Sequence, residues 1–142
     1  MLKILVPVDG SENAKRALAH VIELTQSGLP LQVHLLNVQS PLQSKISLNA
    51  IASQATLDAY FHELGDEALA AGLALLNQAR VPYQYSVEFG PPAKTIVDEA
   101  QKRGCHRIVM GTRGFGLISN LVVGSIAYQV VHLSTLPVTL VQ

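Results

Sequence analysis

The sequence predicts an α/β domain built on a parallel β-sheet. Along the 142 residues, short apolar runs alternate with helical patterns, giving five strands and four intervening helices. The strand runs are continuously apolar rather than alternating with polar residues, as expected of a sheet covered by helices on both faces. Hydrophobic residues make up 49% of the chain, enough to bury an ordinary core without metals or disulfides, and the length suits one domain spanning 1–142.

Leu2 to Val8 is apolar and rich in β-branched residues, and Asp9-Gly10-Ser11 ends it as a turn. Ser11 caps a first helix, Glu12 complements its dipole, and Ala14, Ala17, Leu18, Val21 and Leu24 recur at helical spacing up to Gly28. Leu31 to Val38 forms the second strand. Gln39 to Ala52, with Pro41, three serines and no acidic residue, reads as a loop. From Ser53 to Ala79, Leu57, Tyr60, Phe61, Leu64, Ala68, Ala71, Leu75 and Leu76 mark a long amphipathic helix that Gly65 and Gly72 weaken locally. Tyr83 to Phe89 is the third strand. Gly90-Pro91-Pro92 opens the third helix with a proline suited to its first turn. Ala93, Ile96, Val97 and Ala100 form its buried stripe, Lys102 and Arg103 suit its C-terminal dipole, and Gly104 stops it. His106 to Met110 is the fourth strand, Ser119 to Leu133 the fourth helix, and Val138 to Val141 the fifth strand after Pro137.

Composition excludes several function classes. Ten basic and ten acidic residues balance, and no Lys/Arg cluster supplies the electrostatic footprint of a nucleic-acid or anionic-membrane surface. The lone Cys105 has no partner for an internal disulfide, which fits a reducing cytosol, and the opening apolar run is too short for a signal peptide or membrane span. A cytoplasmic protein is the expectation. The five histidines lack metal-ligand spacing and read as structural or surface residues. A reactive role for Cys105 has little support beyond nearby Lys102, Arg103 and His106.

Open parallel sheets bind ligands beyond the carboxyl ends of their strands. Asp9 follows the first strand, and the glycine-rich stretch Gly111-Thr112-Arg113-Gly114-Phe115-Gly116 follows the fourth, reaching Gly124-Ser125 before Ile126, Ala127, Val130 and Val131. Glycines admit positive φ and let backbone N–H groups approach an anion, a helix start adds unpaired N–H groups, Arg113 adds charge and Ser125 a hydroxyl. The standard phosphate motifs fail on spacing. No Gly-Lys-Ser/Thr triplet is present, and Ser119 stands where a G-x-G-x-x-G fingerprint beginning at Gly114 needs its third glycine. From the residues alone, a left-handed turn and a ligand site both stay open.

The spacing Gly111-x-x-Gly114, nine residues, Gly124-Ser125 resembles the G-2x-G-9x-G-S/T pattern of the universal stress protein family in its nucleotide-binding branch. Ile4-Leu5-Val6-Pro7-Val8-Asp9-Gly10-Ser11, Gly90-Pro91-Pro92-Ala93 and Leu136-Pro137-Val138 resemble other family segments in the same order, so the likeness covers essentially the whole chain. It implies a doubly wound, three-layer, Rossmann-like fold of the adenine nucleotide alpha hydrolase type, with five parallel strands in the order 3-2-1-4-5. It also implies a homodimer and a site for ATP, AMP or ADP. By position, Pro7 and Val8 would line the site, Asp9 would face the ribose or a nucleotide-bound magnesium, and the Val38 backbone would meet adenine. Met110 and Gly111 would approach the sugar, while Arg113, Gly114, Gly124, Ser125 and Ile126 would surround the phosphates. Phe115 departs from the small or basic residue frequent in the family at its position.

No catalytic constellation accompanies this set. Asp9 is the one strong carboxylate near the expected phosphates and the stretch has no lysine, so the enzymatic expectation goes no further than weak magnesium-dependent ATP hydrolysis. The leading functional expectation is an ATP-binding stress-response protein whose nucleotide occupancy modulates a surface read by a regulatory protein partner. An alternative is a dimeric interaction module independent of nucleotide, paired through the terminal strand 138–141.

Overall fold

The structure, a computed structural model, describes residues 1–40, 53–113 and 123–142. Nine elements follow one another: β1 (Leu2–Pro7), α1 (Glu12–Gln26), β2 (Leu31–Gln39), α2 (Gln54–Ala79), β3 (Tyr83–Phe89), α3 (Pro92–Lys102), β4 (Arg107–Gly111), α4 (Ser125–Leu133) and β5 (Val138–Val141). The five strands are parallel in the order β3-β2-β1-β4-β5. This is the doubly wound arrangement expected.

Alternation of side chains along the strands divides the core into two layers. On one face, Ile4, Val6, Val8, Val33, Leu35 and Val109 pack with Ala17, Leu18 and Val21 of α1 and Leu69 and Leu76 of α2. On the other, Leu5, Leu36, Val38, Ile108 and Met110 pack with Ala93, Ile96, Val97 and Ala100 of α3 and Ala127 and Val130 of α4. Both sheet faces are covered, which is why the strand sequences are apolar throughout. Among the described residues no helix is long and apolar enough to cross a membrane.

Local chemistry sets the boundaries. The Ser11 hydroxyl accepts the Ala14 N–H at 3.2 Å and caps α1. Gly104, at φ +67, ends α3 in the left-handed region that glycine occupies without strain. Arg103 does more than complement the α3 dipole: its guanidinium donates to Glu99 at 2.7 Å and Glu88 at 3.1 Å, holding α3 to β3. Cys105 is buried, and burial pushes its thiol up against the weaker opposing pull of Lys3 and Arg103, so it is a core residue.

Two readings of the helices need correction. The stripe of α2 that faces the sheet contains Leu57, Phe61, Gly65, Leu69, Gly72 and Leu76, whereas Tyr60 is exposed. Gly65 and Gly72 are therefore points of closest approach: a Cβ on Gly65 would lie 2.6 Å from both methyls of Val87, and one on Gly72 would lie 2.9 Å from Leu35. The fourth helix begins at Ser125 rather than Ser119. Gly124 is extended at φ −69 and ψ 162, and its N–H donates to the Thr112 carbonyl at 2.5 Å instead of to a preceding helical turn. Ser119 itself, like most of the expected Gln39–Ala52 loop, lies outside the described residues.

Two stability predictions follow from this packing. Gly65→Ala gains helix propensity of about 1 kcal/mol, yet forces a methyl into the stiff Val87 side chain at a cost of about 1–3 kcal/mol. The net expectation is a loss of up to about 2 kcal/mol in urea denaturation, and a stabilised variant would contradict the packing account. His34 is fully buried with Nε2 2.9 Å from Ser86 Oγ, and burial, reinforced by the positive charges of Arg103 and Lys3, pulls its pKa down from 6.5 to about 4. The folded state thus binds fewer protons than the unfolded chain between these values. The stability that neutral His34 contributes is complete above pH 6.5 and is lost as pH falls toward 4, by about 3 kcal/mol. His34→Gln should remove that part of the acid slope, measured as the difference in denaturation midpoint across this window.

Candidate functional site

The crevice forms where the sheet changes direction. The chain leaves β1 for the α1 face and leaves β4 for the α4 face, so the two connections diverge. Strand pairing records the opening: β1 stays in register with β2 as far as Pro7 and Leu36, but pairs with β4 only at Ile4–Arg107 and Leu5–Ile108. Beyond Leu5 the strands separate and leave backbone groups that need other partners.

On the β1 side, Pro7 ends the strand and Val8 follows it, both buried. The Val8 N–H donates to the Leu36 carbonyl at 2.8 Å, and the Val8 carbonyl accepts Nδ2 of buried Asn37, also at 2.8 Å. Asp9 is half-buried, and its Oδ1 accepts the Ser11 N–H at 2.9 Å. That bond shapes the turn, while Ser11 supplies the helix cap, so Asp9 is not itself the cap. Gly10 completes the turn at φ +85. In β2 the Leu36 carbonyl points toward β1 and the Gln39 carbonyl toward β3, where it accepts the Gly90 N–H. By alternation the backbone of Val38 is directed to the β1 side, past the last residue of β1. Its side chain belongs to the core.

On the β4 side, Met110 is a core residue, and because Ile108 and Thr112 both donate toward β5, alternation directs the Met110 backbone to β5 and that of Gly111 to the β1 side. The polar groups that follow are tightly committed. The Thr112 N–H donates to the Val141 carbonyl at 3.0 Å, its carbonyl accepts the Gly124 N–H, and the Arg113 N–H donates to Oδ1 of Asn13 at 2.6 Å. Arg113 itself is exposed. Both ends of the glycine-rich stretch are therefore drawn together. A Cβ on Gly124 would lie 3.0 Å from the Thr112 carbonyl, and one on Gly111 would collide with the Asn13 amide. Neither glycine has positive φ, so close approach, not left-handed geometry, is what selects them.

Ser125 is the exposed first residue of α4, Ile126 packs partly into the α3-side core, and Gly124 in the N-cap position has no side chain with which to cap the helix. A helix start presents N–H groups and a partial positive charge. Arg113 adds a full one. Gly114 and Phe115 lie outside the described residues. Among the described residues no cluster of three or more His, Cys, Asp or Glu side chains could hold a metal by itself. A magnesium ion at Asp9 would need phosphate oxygens to complete its shell.

Two residues were not singled out from the sequence. Asn13 and Asn37 are 6% and 2% exposed, and each uses its amide to hold one lip of the crevice. Asn13 also donates Nδ2 to the Val141 carbonyl at 3.1 Å, joining α1, β4 and β5. An asparagine inside an otherwise apolar helical stripe or strand is the available signal.

The chain matches the universal stress protein family over residues 1–142. It is 26% identical to the universal stress protein YxiE of Bacillus subtilis (strain 168), across 99% of this chain and 98% of that one. Its structure superposes on that of protein MJ0577 with a TM-score of 0.85 and 27% identity, covering 99% of this chain and 94% of the other. The universal stress protein of Archaeoglobus fulgidus, solved in complex with dAMP, has the same fold at a TM-score of 0.69 and 19% identity, with 100% and 98% coverage. With a family match along its full length and the family's sheet order, the chain belongs to the universal stress protein family.

Proposed function

We propose that the protein binds an adenine nucleotide in the β1/β4 crevice, and that occupancy changes a surface read by a regulatory partner. What supports this reading is the Gly124–Thr112 hydrogen bond, which brings the start of α4 beside Arg113 at the carboxyl end of β4, the strand next to the one whose turn carries Asp9. A positive end receives phosphates, while the Val38 backbone edge offers a donor and an acceptor to a base. The fold accommodates an adenine nucleotide in the A. fulgidus protein, where dAMP is bound. Pro7 and Val8 then line the sugar side with Met110 and Gly111, and Gly114, Ser125 and Ile126 complete the phosphate end. Asp9 holds magnesium through the phosphates of a bound ATP, AMP or ADP. Asp9 is the one carboxylate this reading assigns to the phosphate end, so hydrolysis is weak at most.

Calorimetry on nucleotide-stripped protein tests this. ATP should bind more tightly with magnesium than without, and Asp9→Asn should abolish that difference. Arg113→Ala should weaken ATP about tenfold and leave adenosine within about twofold, since only the phosphate contact is lost. Arg113 is a cleaner probe than Gly124, whose substitution disturbs the Thr112 carbonyl directly. Absence of adenine-nucleotide binding in the presence of magnesium removes the reading.

We also infer that the protein is a homodimer paired through β5. The observation favouring it is that β5 lies at the sheet edge, with Val138 to Val141 only partly buried. The Pro137 and Val141 carbonyls point to β4, so by alternation the backbone of Leu140 points outward. Light scattering should give a dimer mass, and Leu140→Pro, which deletes an outward N–H, should give a folded monomer.

A further inference from the structure

We propose that Asn13 is a positioning residue for the phosphate end of the site, acting through the peptide between Thr112 and Arg113. This rests on the adenine-nucleotide reading and deepens it. The Asn13 side chain is buried and both its amide atoms are taken up by backbone groups of the protein. Its Oδ1 accepts the Arg113 N–H at 2.6 Å and its Nδ2 donates to the Val141 carbonyl at 3.1 Å. That same carbonyl accepts the Thr112 N–H, and the Thr112 carbonyl accepts the Gly124 N–H. The backbone groups that link β4 to α4 are thus fixed relative to one another. Asn13 is the one side chain in this set, and it comes from α1, four residues after Asp9. It therefore sets the phosphate end in register with the β1 turn. Gly111 is part of the same device, because any side chain there would displace the Asn13 amide.

Removing the amide leaves the Arg113 N–H without its partner and frees the peptide to rotate, moving both the Arg113 side chain and the carbonyl that anchors Gly124. The adenosine end, held by Asn37 and Val8, is left in place. Asn13→Ala should therefore weaken ATP about tenfold while adenosine affinity changes less than about twofold, a split that general damage to the fold does not produce. Equal losses for both ligands, or no loss for either, would overturn the proposal. If the wild-type protein binds neither ATP nor adenosine, the nucleotide reading itself fails, and with it this inference. Hydrogen exchange on the wild-type protein gives an independent reading that needs no variant to fold. The Arg113 amide should be protected without ligand, and its protection should rise further with ATP but not with adenosine. An unprotected Arg113 amide, or protection raised equally by both ligands, also counts against Asn13.

Discussion

The site and much of the surrounding structure depend on one constraint: at the reversal of strand order, β1 and β4 stop pairing before they end. Parallel strands covered on both faces bury their backbone, and the place where two neighbours separate exposes peptide groups with no ladder partner. On the β4 side the Asn13 amide takes up the Arg113 N–H, and at the end of β1 the Asn37 amide takes up the Val8 carbonyl just past the last β1–β2 pair. The crevice is therefore a consequence of topology whose edges are finished by buried polar residues. Its width follows from how closely α1, α4 and the end of β5 can be brought to those edges. That closeness explains why Gly111 and Gly124 stand where they do.

Most of the architecture was legible in the sequence because it rests on strong, local signals. Continuous apolar strands gave the doubly covered parallel sheet, and Ser11, Pro92 and Gly104 marked helix ends through capping and backbone chemistry that operates within a few residues. The order of the strands is nonlocal and entered only through family resemblance. The failures are nonlocal as well. Gly65 and Gly72 look like weak points in a helix considered alone, and become its packing contacts only when β2 and β3 are beside it. The start of α4 moves to Ser125 because the carbonyl of Thr112, twelve residues earlier in the sequence, takes the Gly124 N–H.

Of the candidate site, the glycine spacing was legible in the sequence and the neighbours behind it were not. The sequence offers two reasons for Gly111 and Gly124, positive φ and close backbone approach, and the structure displays the second. These two glycines admit neighbours: the Asn13 amide against Gly111, and the Thr112 carbonyl against Gly124. Asn13 was hidden because its neighbourhood, Ser11-Glu12 before it and Ala14 after it, is compatible with an ordinary exposed asparagine. Only the approach of Arg113 and Val141, from opposite ends of the fold, gives that amide two partners at once.

The choice of an amide is itself informative. The peptide N–H of Arg113 needs an acceptor and the Val141 carbonyl can take a donor, so one side chain must present both. A carboxylate would offer two acceptors and turn one of them toward the Val141 carbonyl, while adding negative charge behind the place where phosphates are expected. A hydroxyl is too short to bridge both groups from the same Cα with the same span. Asparagine supplies donor and acceptor in one rigid plane without charge, and burial makes leaving either end unpaired costly. The same logic holds at Asn37, whose Nδ2 serves the Val8 carbonyl while its Oδ1 accepts Nε2 of Gln39 at 2.7 Å. Neutral amides at both lips leave Asp9 and Arg113 as the charged residues nearest the crevice among those the two strands and their turns contribute, which assigns the field in the crevice to those two side chains and the start of α4.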